Sequence, residues 1–198
     1  MNYFGVADWH IGDPRIEILG RPFSSSEEML KTLIKNHNKV VEKNDVVIVI
    51  GDVCYKEAID KIDLISNFNG KKILIRGNHD VGLSDEVLKK YFIKVIPDGE
   101  GMELTCGGVE CYATHYPTKG REDKFNIIGH VHGIWRYNLN MFNLGVDANH
   151  FCPVNLETIP KHLKAIKEFY DEDAWACYNK INTQFIGKRG RKGSYFKG

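Results

Sequence analysis

Apolar runs that empty directly into clusters of Asp, His and Gly constrain this chain more than any other feature. Tyr3–Ala7 opens into Asp8-Trp9-His10, Val46–Ile50 into Gly51-Asp52, and Lys72–Arg76 into Gly77-Asn78-His79-Asp80. The second run is continuously β-branched, which suits a strand covered on both faces. Stretches with helical spacing separate the runs. One carries Met29, Leu30, Leu33, Ile34, Val40 and Val41 behind a capping box, with Ser24/Glu27 or Ser25/Glu28 as the pair. The other covers Glu57–Phe68, with Ile59, Ile62 and Ile65 on one side. The order β-α-β-α-β predicts a parallel sheet. Residues at the carboxyl ends of its strands meet along one edge, where α/β proteins place their sites.

Beyond a short helix around Ser84–Tyr91 the pattern changes. Met102–Thr105 and Val109–Thr114 flank Cys106-Gly107-Gly108 as a hairpin, and Phe125–Ile128, Gly133–Leu139 and Phe142–Val146 read as further short strands. These predict a second sheet packed on the first. Two more histidine motifs fall here, His115 and Gly129-His130-Val131-His132. A helix from Ile159 to about Tyr178 is expected to close a single domain over residues 1–180, with a basic, flexible tail over 181–198.

Composition narrows the class. A hydrophobic share of 42% and a charged share of 27% are ordinary for a globular protein, and 198 residues suffice for a real core. Six basic residues and no acidic one follow Ala174, so the preceding body carries 21 basic against 26 acidic side chains. That balance argues against a globally basic nucleic-acid binder, although the tail could touch phosphate. The five cysteines are odd in number, scattered and without a C-x-x-C pair. With no secretory signal and no apolar run of spanning length, they favour reduced thiols and a cytoplasmic location, with no membrane partner.

Together the motifs supply hard oxygen ligands, imidazoles and one amide carbonyl, the donor set that a pair of divalent metals needs. Asp52, directly after a buried strand, is the expected bridging carboxylate, and Gly51 lets the backbone turn before it. Asp8 and His10, separated by one residue on an extended segment, can address one metal, and His130 and His132 repeat that spacing. Asn78 brings a neutral carbonyl oxygen and His115 another imidazole. Sequence leaves manganese, iron, zinc and nickel open as the metals, with manganese the first choice in vitro.

The series D-x-H, G-D, G-N-H-D, H and G-H-x-H resembles that of the calcineurin-like metallophosphoesterases, over residues 3 to about 150. Arg21-Pro22-Phe23 and the stretch from Gly145-Val146-Asp147 to Pro153-Val154 are similar to the small bacterial and phage-encoded members. The resemblance implies a four-layer α/β-β/α sandwich. It implies one metal held by Asp8, His10, Asp52 and His132, and a second held by Asp52, Asn78, His115 and His130. His79 would face the substrate as the catalytic residue, stabilising a phosphoryl oxygen or protonating the leaving group. The activity implied is hydrolysis of phosphate diesters or monoesters of small, nucleotide-like substrates, with hydroxide generated at the metals as nucleophile. A metal-dependent nuclease acting on DNA or RNA is the alternative, and a non-catalytic scaffold of the same fold a third reading. One departure matters: Gly51-Asp52 continues as Val53-Cys54-Tyr55-Lys56, whereas the protein phosphatases of this superfamily read G-D-x-x-D-R-G. The missing carboxylate and Arg-Gly pair argue against a protein phosphatase, and Asp80 is the carboxylate next to His79.

Other residues have plainer readings. Trp9 is expected to pack beneath the site in preference to forming a substrate-facing wall, and Arg21 to bind substrate phosphate or to form an ion pair. His37 and His162 are read as structural or exposed; His150 lies near the site without matching a ligand position.

Overall fold

The structure is a computed structural model and describes residues 1–166 and 168. Met1–Ile159 form one compact unit, which holds every motif residue, and Pro160–Gly198 a second. The last helix is described over Ile159–Ala165; its expected continuation to Tyr178, and the basic tail, lie outside the described residues.

Two five-stranded mixed sheets build the first unit. In the first, β1 (Tyr3–Val6), β2 (Val46–Ile50), β3 (Lys71–Ile75) and β4 (Phe92–Ile96) run parallel, and β10 (Val154–Asn155) pairs antiparallel with β1. In the second, β5 (Gly101–Cys106) and β6 (Val109–Thr114) make the expected hairpin. Then β7 (Phe125–Ile128) and β9 (Met141–Asn143) follow parallel to β6, and β8 (Tyr137–Asn138) caps the edge.

Side chains alternate across the first sheet. Phe4, Val6, Val47, Val49, Leu74 and Phe92 join one core with Met29 and Leu33 of α1 (Ser26–Val40), Ile62, Ile65 and Phe68, and Leu88 of α2 (Asp85–Leu88). The opposite face meets the second sheet around Gly5. A Cβ there would lie 2.3 Å from the Leu144 Cδ1 methyl, so any larger residue would push that side chain aside. Ser25 caps α1 by accepting from the Glu28 backbone N–H at 3.1 Å. The Glu28 carboxylate turns back to the Ser24 backbone N–H at 2.7 Å, one residue before the cap.

Two expectations change. The helix over Glu57–Phe68 is a 3₁₀ helix over Ile59–Asn67. Ile59, Ile62, Ile65 and Phe68 are three residues apart, the spacing that stacks side chains on one face at three residues per turn. The strand expected over Gly133–Leu139 shrinks to Tyr137–Asn138, because a turn occupies its start: Ile134 donates to the Val131 carbonyl at 3.0 Å. Asn143 then pins that turn, donating to the His132 and Trp135 carbonyls at 2.7 Å each.

Candidate metal centre

The motif residues converge at the carboxyl ends of β1, β2, β3, β6 and β7, strands that run parallel within each sheet. The chain leaves those strands in strained conformations. Asp8, His10, Asp52, His130 and His132 all have φ between 49° and 73°, in the left-handed region that side chains other than glycine avoid. Such backbone persists only where neighbours hold it. Asp8 donates to the Gly51 carbonyl at 3.1 Å and His10 to the Asp52 carbonyl at 3.0 Å, zipping the first two loops together. Gly51 has φ +75°, and a Cβ on it would sit 2.3 Å from His115 Nδ1. At Gly77 a Cβ would fall 2.4 Å from Asp52 Oδ1.

Asp52 is the hub. Its Oδ2 lies 3.5 Å from His10 Nε2 and 3.5 Å from His115 Nε2, on two sides of one buried oxygen. Its Oδ1 accepts from the His79 backbone N–H at 2.9 Å. Two groups of donors surround it: Asp8, His10 and His132, and Asp52, His115 and His130, with ligand atoms in each within 4.8 Å of one another. Asn78 Oδ1 lies 3.1 Å from His130 Nδ1, beside the second group. The Asp8 carboxylate accepts from the His130 backbone N–H at 3.1 Å, linking the two sheets across the site. His79 stacks edge-on against His10, with ring centroids 4.7 Å apart, and its ring also comes within ligand range of His10 and Asp52.

Divalent cations fit this arrangement. His10 Nε2 and His115 Nε2 are buried without a hydrogen-bond partner among the described residues, and both face Asp52. Buried polar atoms are rarely left so, and an orphaned imidazole nitrogen beside carboxylates is what a cation would satisfy. Burial disfavours charge on His10 and His115. The neighbouring carboxylates of Asp13 and Asp52 at His10, and of Asp52 at His115, outweigh it and push each ring up to about 9. Burial raises Asp8. For Asp52 burial acts in the same sense, but the two histidines prevail and hold it well below the usual carboxylate range. Carboxylates packed this closely against imidazoles favour positive charge at the centre, and a bound cation would supply it.

Residues without a motif position set the orientation of those that have one. His115 Nδ1 donates to the Ile50 carbonyl at 2.9 Å, which leaves Nε2 to face Asp52. His132 Nδ1 lies 3.1 Å from Asp147 Oδ2, and His10 Nδ1 lies 3.3 Å from Asp13 Oδ2. Asp80, fully buried and raised to about 6 by burial, accepts from the backbone N–H groups of Asp52, Val53 and Gly77 at 2.8–2.9 Å. It ties the β2 and β3 loops together, so its carboxylate is spent on backbone rather than on the His79 ring. Arg21 is a correction to the expected phosphate contact: its side chain is buried and fully committed. Nε and Nη2 grip Asp147 at 2.7 and 2.8 Å, and the remaining donors reach the Asp8 and Trp9 carbonyls at 2.6 and 3.0 Å. The ion pair read as its alternative is what forms.

Trp9 packs as expected, stacked on Phe68 at 4.3 Å with His37 at its edge. His150 is exposed in a left-handed turn, and His162 lies on the last helix, in the second unit. Asp13 and Asp147 had a faint signal in the sequence: each stands two or three residues beyond a motif or a strand-end glycine.

Two mixed sheets with aspartates and histidines gathered at their strand ends define a phosphoesterase-type metalloprotein. The calcineurin-like phosphoesterase family model matches residues 1–176, and the chain belongs to that family, which generally uses divalent metals. It is 42% identical over 78 residues to the uncharacterized protein MJ1445 of Methanocaldococcus jannaschii, covering 38% of this chain and 44% of that one. It is 37% identical over 82 residues to the Gene 66 protein of Mycobacterium phage L5, covering 40% of each. The aligned stretch thus spans less than half the length of either relative. A solved structure of a protein of unknown function, AQ665 from Aquifex aeolicus, shares the fold with a TM-score of 0.65 at 23% identity, over 81% of this chain and 98% of that one.

Proposed function

We infer that this chain is a dinuclear metal-dependent phosphoesterase that hydrolyses phosphate diesters or monoesters of small, nucleotide-like substrates. The observation that carries this reading is Asp52 Oδ2, set 3.5 Å from two buried histidine nitrogens that have no other partner among the described residues. One ion would be held by Asp8, His10, Asp52 and His132, the other by Asp52, Asn78, His115 and His130. Manganese, iron, zinc and nickel all suit this mixed nitrogen and oxygen set, with manganese the first choice in vitro. When bound, such ions supply an acidified water as nucleophile and draw charge from the phosphoryl oxygens, each contributing several kcal/mol to the transition state.

The protein's own groups position the rest. Asp13, Asp147 and the Ile50 carbonyl hold the histidine rings so that one nitrogen of each faces the centre. His79 is anchored through its backbone to the Asp52 carboxylate, and burial lowers its pKa below the ordinary imidazole value. Its ring is placed to stabilise a phosphoryl oxygen or to protonate the leaving group. The free thiols of Cys54, Cys106, Cys111 and Cys152 suit a cytoplasmic setting, and no helix among the described residues is long and apolar enough to cross a membrane.

The test is turnover of bis(p-nitrophenyl) phosphate against p-nitrophenyl phosphate by metal-stripped protein, before and after Mn²⁺ is restored. Mn²⁺-dependent hydrolysis is expected, and the preferred ester assigns diesterase or monoesterase. His79→Ala should keep its bound metal and lose roughly 10²–10⁴-fold in kcat. Unchanged turnover would remove His79 from the mechanism, and no Mn²⁺-dependent turnover of either ester would overturn the reading.

A further inference from the structure

The loop after β1 carries a cation that the chemistry above does not use. Asp13, fully buried, holds Arg15 three times: the Arg15 backbone N–H and Nε donate to Oδ1 at 2.9 and 3.0 Å, and Nη2 donates to Oδ2 at 2.7 Å. This is the carboxylate that faces His10. The flat side of the guanidinium rests on Tyr55, 4.5 Å from the ring centroid. Tyr55 lies on the Asp52 loop, is tied by its backbone N–H to the Ile11 carbonyl at 3.0 Å, and sits with its ring 6.2 Å from that of His79. One edge and one face of the guanidinium are thus fixed. The side chain is still 37% exposed, and Nη1 donates to no atom of the described residues.

A counter-ion for Asp13 would need neither the stack on Tyr55 nor a nitrogen held out to solvent. We propose that Arg15 is a positioning residue for a second phosphate on the substrate, one that sits beyond His79 when the reacting phosphate lies at Asp52. Asp13 stands between Arg15 and His10, so Arg15 addresses not the reacting group but what the substrate extends over His79 and Tyr55. A guanidinium locked in place loses little side-chain entropy on binding, and its planar fork suits phosphate oxygens. The inference rests on the phosphoesterase reading and narrows it to substrates with two phosphates, such as a nucleoside bisphosphate or adjoining phosphodiesters of a short strand.

The experiment is calorimetric titration of the Mn²⁺-loaded protein with thymidine 3′,5′-bisphosphate and with thymidine 5′-monophosphate. The wild type is expected to bind the bisphosphate about tenfold more tightly, the size of one charge-assisted hydrogen bond. Arg15→Met should abolish that preference, and Arg15→Lys, which keeps the charge without the fork, should restore part of it. Manganese content measured on each variant shows that the centre is intact. Equal binding of the two ligands by the wild type, or a preference that survives in Arg15→Met, overturns the proposal. Hydrolysis of bis(p-nitrophenyl) phosphate by the same preparation separates the two readings. A preference lost in Arg15→Met without any turnover would support the phosphate subsite while removing the esterase.

Discussion

Replacing Asp147 by Ala separates what holds the fold from what holds the metal. The Arg21 side chain is wholly buried, and two of its donors end on Asp147, at 2.7 and 2.8 Å. Removing the carboxylate strands a guanidinium charge away from water, a defect that costs about 3–5 kcal/mol when a buried pair is broken from one side. The carbonyls of Asp8 and Trp9 stay as partners of Arg21, which places the loss toward the lower figure. That is still a large fraction of the ~5–15 kcal/mol that stabilises a domain. The same change frees His132 Nδ1, now 3.1 Å from Asp147 Oδ2, and loss of such a partner weakens metal binding by about 10–100-fold. Urea unfolding of the metal-free protein reads the first effect, and Mn²⁺ titration reads the second. In the double variant Arg21→Met/Asp147→Leu most of the stability should return, because no charge is left unpaired. The metal affinity should not return, because His132 still lacks its carboxylate. A stability loss under about 1 kcal/mol in Asp147→Ala, on the scale of exposed pairs, would refute the buried-pair argument. Recovery of both properties in the double variant would refute the orienting role.

Two further predictions rest on single contacts. Burial pushes His37 down to about 4 from the ordinary 6.5, outweighing its Nε2–H bond to the Asn69 carbonyl. Below pH 6.5 the unfolded chain takes up a proton that the folded one refuses until about 4, so stability falls with acid across that window and is unaffected above it. The full loss is roughly 3 kcal/mol; His37→Gln should flatten the pH profile of urea unfolding between those limits, and an unchanged slope would contradict the assignment. Gly77→Ala places a Cβ 2.4 Å from Asp52 Oδ1 and 2.7 Å from His115 Cε1, and the Ile50 carbonyl keeps His115 from moving away. Manganese content should fall, with a stability cost of ~1–3 kcal/mol; full metal occupancy with unchanged stability would show that the loop has slack.

Much of the centre is legible in the sequence because each donor follows a strand directly, so its place along the chain fixes its place in space. Asp8, Asp52, Asn78, His115 and His130 all lie within two residues of a strand's end or of the strand-end glycine. The residues that orient them are less legible, because their partners are distant in sequence. Arg21 and Asp147 are 126 positions apart, and nothing local to either reveals the pair. Asp80 was visible as part of a motif, but its role was not, since its three partners are backbone N–H groups of two loops. In the fold, β4 carries no clean period: Phe92-Ile93-Lys94-Val95-Ile96 does not alternate, and Ile93, opposite the register shift between Lys72 and Ile73, is 65% exposed. The two residues of β10 are too few to carry a period at all.

The most direct test of the account is the number of Mn²⁺ ions bound per chain at equilibrium dialysis, in the wild type and in Asp52→Asn. Two ions per wild-type chain are expected, with both weakened together in the variant, because on the proposed reading one carboxylate would serve both sites. A single ion in the wild type, or a variant that still binds two as tightly, would contradict a centre bridged by Asp52.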